Sequence, residues 1–194
     1  MKTRSWAAAA AGVVGMLMGG TAGPAHADRP VDPVDHYSGS DGFDTRDCGL
    51  RLHVEVTFRG RFSIQPAPGS DEAFLAHDNY SFSETITLAG VEDGPSLHTR
   101  VNGNFRETRA RLLDPARPTI YQFTGVDAGT FRLYDASGTL LARSSGVFKF
   151  VNIQDTRGDK APGSDLIREV SGVFHGNESG DFCEAVETTL TPPR

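Results

Sequence analysis

Beyond its first 27 residues, this chain of 194 has no methionine and no tryptophan, and its only lysines are Lys149 and Lys160. Its aromatic packing therefore rests on Phe and Tyr alone. No apolar run approaches the ~20 residues that a membrane-spanning helix needs; the longest, Ala7–Met18, is about a dozen. The two cysteines, Cys48 and Cys183, are too few and too far apart for a CxxC redox pair or a zinc finger. GxSxG, HExxH and phosphate-cradling glycine loops are all missing, which removes the usual signatures of elbow hydrolases, zincins and nucleotide folds. No residue is marked as catalytic, and no metal or other cofactor is expected. Removing the first 27 residues takes Lys2 and Arg4 away and leaves 17 Lys and Arg against 25 Asp and Glu. An acidic sum disfavours nucleic acid and anionic lipid unless a local patch overrides it.

Met1 to Ala27 reads as a secretory signal peptide. Lys2 and Arg4 give the basic start, Ala7 to Met18 the apolar stretch, and Ala25-His26-Ala27 the small-x-small cleavage site. Cleavage is expected before Asp28, without a membrane anchor, giving a secreted, extracellular protein. Export permits oxidation, so Cys48 and Cys183 are expected to form a disulfide. In the chain-entropy view, closing so long a loop contributes roughly 4–5 kcal/mol.

Residues 28–47 are polar, rich in Asp, Gly and Ser, and read as a flexible acidic arm. Residues 48–194 then read as one domain in which the dominant period is two. Leu52, Val54, Val56, Phe58, Phe62 and Ile64 alternate with His53, Glu55, Thr57, Arg59, Arg61 and Ser63, the pattern of a strand with one apolar and one wet face. Similar runs follow around Tyr80–Leu88, Leu97–Arg106, Thr119–Gly125, Thr130–Asp135, Thr139–Asn152, Leu166–His175 and Phe182–Leu190. The expectation is an all-β fold of about eight antiparallel strands. Ser70 could cap a short helix over Asp71–His77. Gly60, Gly103, Gly146 and Gly172 sit on the apolar parity, where glycine often marks a sharp bend. That favours an up-and-down β-barrel closed by the disulfide, with a β-sandwich as the alternative.

The stretch from Gly129 to Ala142, then Ser144-Ser-Gly146-Val-Phe148 and Ile167-Arg-Glu-Val-Ser-Gly172, resembles small secreted β-rich proteins of actinobacteria. That resemblance carries no catalytic residues over to this chain. In architecture the pattern is also similar to lipocalin-type, allene-oxide-cyclase-type and dirigent-type barrels, although the lipocalin Gly-x-Trp signature is missing.

The informative anomalies are charges on the apolar parity. Glu84 interrupts Phe82 and Ile86, Arg168 interrupts Leu166 and Val170, and Glu184 stands between Phe182 and Val186. A charge facing an interior must be paired or solvated. Glu84, Tyr121 and Arg168 are therefore the candidate ligand-binding residues; mutual neutralisation of the two charges, or exposure through a strand bulge, are the structural alternatives. The leading expectation is a barrel that binds a small, mainly apolar molecule in its interior. An isomerase or cyclase of the allene-oxide-cyclase-like type would instead need Glu84 or Glu184 as a buried acid or base. A third reading is an extracellular module that contacts another protein.

Overall fold

The computed structural model describes residues 34–158 and 164–191. The expected signal peptide and its cleavage site lie outside the described residues. Seven strands form one antiparallel sheet in sequence order: β1 (Val34–Asp47), β2 (Leu50–Pro66), β3 (Phe74–Leu88), β4 (Leu97–Leu112), β5 (Ile120–Asp135), β6 (Leu140–Asp155) and β7 (Asp165–Ser179). Among the described residues one helix, α1 (Phe182–Leu190), follows. β1 and β7 are the two ends of the sheet.

The register defines an inner face, because residues that pair across the strands share a side. Leu52, Val54 and Val56 of β2, Phe82 and Ile86 of β3, Leu97 and Val101 of β4, and Leu133 of β5 are all buried on it. Val186 and Leu190 of α1 pack with Leu52, Val54, Ile86, Leu97, Leu133 and Ala142, so β2 to β6 curve around the helix at one end of that face. At the opposite end, Leu75, Tyr121 and Phe123 pack with Ala67 and Ala73 of the β2–β3 loop. The disulfide joins Cys48 to Cys183 across a sequence separation of 135, with Cα atoms 5.0 Å apart. It therefore ties the β1–β2 turn to α1 rather than the first strand to the last. That turn is two residues long, and both Cys48 (φ 51) and Gly49 (φ 75) are left-handed, the conformation a type I′ hairpin demands.

Four expectations change. The eighth strand is the helix α1, because Phe182, Val186 and Leu190 carry a four-residue spacing that a period of two conceals. Asp181 caps it, accepting from the Glu184 backbone N–H at 3.0 Å, which leaves Glu184 exposed in the first turn. The segment read as an arm holds β1 from Val34 onward; this edge strand pairs with β2 along its whole length and buries little. The runs at Thr119–Gly125 and Thr130–Asp135 are one strand, β5, whose Gly125 and Gly129 look like breaks in the sequence. Asp71–His77 is not helical. Ser70 does cap locally, its Oγ accepting from the N–H groups of Glu72 (3.1 Å) and Ala73 (3.0 Å), but what it shapes is the loop into β3.

Candidate functional site

Between the helix-covered end and the loop-covered end, the inner face carries two unusual rows. The first crosses all seven strands as successive register partners: Tyr37, Gly60, Tyr80, Gly103, Gly129, Gly146 and Gly176. The next row is Asp35, Phe62, Asp78, Phe105, Asp127, Phe148 and Phe174. Glycines leave a trough without side chains, and the rings of neighbouring strands lie down in it. A Cβ at Gly60 would overlap the Tyr37 ring, and one at Gly103 would overlap the Tyr80 ring. Bulk is excluded at these positions by close approach, whatever the backbone angles.

The trough lets each tyrosine reach two strands away. The Tyr37 hydroxyl on β1 passes over Gly60 and donates to Asp78 Oδ2 on β3 at 2.8 Å. The Tyr80 hydroxyl on β3 passes over Gly103 to Asp127 on β5, 3.0 Å from both carboxylate oxygens. Phe150 on β6 lies over Gly125 and stacks on Phe105 of β4, with centroids 5.2 Å apart. Asp78 is 3 % exposed, yet its Oδ1 has no partner among the described residues. A buried acceptor of this kind costs free energy unless an ordered water or a ligand group donates to it.

Four carboxyls on this face are held above the usual carboxylate range, each chiefly by burial. Asp127 is also raised by the charge of Asp78, while Tyr80 pulls the other way. Tyr37 and His77 oppose the rise at Asp78. Glu84 is opposed by the Thr99 hydroxyl, which donates to it at 2.8 Å. Glu107 accepts from the Ala76 backbone N–H at 2.8 Å and from Gln154. Burial, reinforced by the neighbouring Asp, also raises Tyr37 and Tyr80, so both stay protonated donors.

The three ligand-binding candidates read from the sequence do not meet. Glu84 is on the inner face as expected, opposite Val56 and Thr99. Tyr121 is buried in the cluster at the other end, where its hydroxyl accepts from Ser70 Oγ at 2.9 Å. It stands twelve residues along β5 from Leu133, the residue in the Glu84 row, or ~40 Å of extended strand. Arg168 is corrected to the outer face, exposed and opposite Ile153, because bulges in the β6–β7 pairing shift the parity of β7. Sequence reasoning missed Tyr37, Asp78 and Asp127. The available signal was a repeated Asp-x-Tyr or Asp-x-Gly alternation: Asp35-x-Tyr37, Asp78-x-Tyr80 and Asp127-x-Gly129.

Among the described residues, the one grouping of three potential metal-ligand side chains is Asp47 with the two disulfide cysteines, whose sulfurs are already bonded to each other. No helix among these residues is long and apolar enough to cross a membrane. No protein family, curated protein or solved structure matches the chain.

Proposed function

We propose that the middle of the inner face binds a small, mainly apolar molecule whose polar end donates hydrogen bonds or carries positive charge. The observation that carries this reading is the Asp-Phe row. Phe62, Phe105, Phe148 and Phe174 are only half-buried there and belong to neither core cluster, while the unpartnered Asp78 Oδ1 lies between them. Apolar walls with a few convergent polar groups are the usual composition of a ligand site. The acidic character of the polar groups favours an amine or hydroxyl over a carboxylate. Complete closure into a barrel, with β1 pairing to β7, is the limiting form of this reading; its support is that both end strands are long and in line with the same rows. Secretion fits the disulfide, since an oxidising compartment is where such a bond persists.

A second reading is favoured by the two Tyr–Asp pairs. Phenols held protonated by burial, beside carboxyls that burial pushes upward, could stabilise a developing oxyanion in an isomerase or cyclase. Titration of the protein with the neutral dye N-phenyl-1-naphthylamine tests binding. A saturable rise in fluorescence is expected, weakened on the order of tenfold by Phe105→Ala and left unchanged by Asn102→Ala on the other face. No saturable rise, or equal weakening by both variants, contradicts the site. Asp127→Asn separates the two readings: a binder keeps most of its affinity, whereas an enzyme loses turnover of the bound molecule.

A further inference from the structure

We infer that the outer face of the sheet is a second binding surface, for a linear acidic polysaccharide. The acidic sum of the chain hides a complete segregation of bases. The register puts every Arg, Lys and His that lies in a strand on the outer face. Arg100, Arg132 and Arg143 are successive register partners on β4, β5 and β6, and all three are exposed. Like charges directly opposite one another cost stability. No carboxylate within the described residues forms an ion pair with any of them. Arg100 lies over the Tyr134 ring at 5.8 Å and Arg143 Nε donates to Ser179 Oγ at 3.2 Å, contacts that orient guanidinium groups without neutralising them. Three unneutralised guanidiniums spaced by the ~4.8 Å between strands match a chain of regularly repeated anions.

The flanking row identifies the kind of polyanion. Ser38, Arg59, Ser81, Asn102, Thr130 and Ser145 are successive partners on β1 to β6, alongside the arginine row. Short hydroxyl and amide side chains at hydrogen-bonding reach suit sugar hydroxyls. A shallow groove of about 440 Å³ opens on this side around Arg59, Arg61 and Asn79, without a carboxylate in its lining, whereas the groove that reaches Arg100 is also lined by Asp41, Glu55 and Glu84 and is not part of the proposed track. Leu140, exposed and opposite Tyr134, is a single apolar side chain beside the arginines, a poor wedge for a bilayer. The nearest ring, Tyr134, is covered by Arg100 and offers no platform for nucleic-acid bases. This surface is independent of the inner-face site.

Affinity for polygalacturonate oligomers and chondroitin sulfate, measured by calorimetry at low salt, tests the inference. Binding is expected that weakens steadily with added NaCl and drops on the order of tenfold or more in Arg100→Gln/Arg132→Gln. The charge-matched control is Arg117→Gln/Arg157→Gln, whose bases already pair with Asp114 and Asp165, and it should bind as the parent does. Cooperative thermal unfolding of both variants confirms that they fold. Equal losses in the two variants, equal binding of neutral dextran, or tighter binding of single-stranded DNA or phosphatidylglycerol vesicles would each overturn the proposal.

Discussion

The two faces of one sheet are built from the same strands and differ in almost everything else. On the inner face, aromatic rings lie in a glycine trough, the carboxyls of β3 to β5 are shielded from solvent, and no base occurs among the strand positions. The outer face carries all the strand bases, rows of hydroxyls and amides, and a band of valines and Ile153 on β6 and β7. Because neighbouring residues alternate sides, a step of one position moves from a close-packed environment to a solvated one. The net charge averages the two and describes neither. Folding energy sits on the inner side, and charge that the fold leaves unsatisfied sits on the outer.

The largest effect is expected at the cover of the inner face. Replacing Cys48 and Cys183 with Ser frees α1 from the β1–β2 turn and should cost about 4–5 kcal/mol in urea unfolding, less if the unfolded chain is compact. Next comes the step between faces at adjacent residues. Gly103→Val must displace the Tyr80 ring and break its bond to Asp127, for a cost of about 3 kcal/mol. Asn102→Val, one residue earlier and exposed, should stay within about 0.5 kcal/mol. Equal losses at the two positions would break the contrast.

Protonation sharpens it further. Glu84, Glu107, Asp78 and Asp127 have folded pKa values raised above their unfolded ones, so the stability they contribute is fully present at acid pH and declines as pH rises through the carboxylate range and above. Glu84→Gln should therefore melt higher than the parent at pH 7, with the gap closing below about pH 4.5. Asp44, by contrast, is exposed and held low by bonds from His53 and Arg51, so its contribution is lost on acidification. The smallest effect belongs to the outer face. Arg132→Ser relieves repulsion in its row and should raise stability by a few tenths of a kcal/mol at low salt, a gain that 0.5 M NaCl removes by screening.

Most of the strands were legible because burial on one side writes a period of two into the sequence, as in β2 and β3. Where burial does not act, the signal fails. β1 is an edge held by pairing, so its Asp, Ser and Gly positions look like a loop. The glycines of β5 read as punctuation although they pave the trough. The last strand was misread because nine residues contain too few apolar positions to separate a period of two from one of four. In the candidate site, Glu84 was visible as a charge out of phase. Asp78 and Asp127 were not, since their meaning depends on Tyr37 and Tyr80 arriving from strands two places away. Arg168 misled because a bulge, invisible in sequence, reverses its side.

The central claim is that the Asp-Phe row of the inner face holds a ligand. The most direct test is a native mass spectrum of protein taken from its own culture supernatant, run beside a denatured sample. A reproducible extra mass is expected that is lost on denaturation and is absent from Asp78→Asn/Phe105→Ala. An unliganded mass in the parent, together with no uptake of the neutral dye, would contradict it.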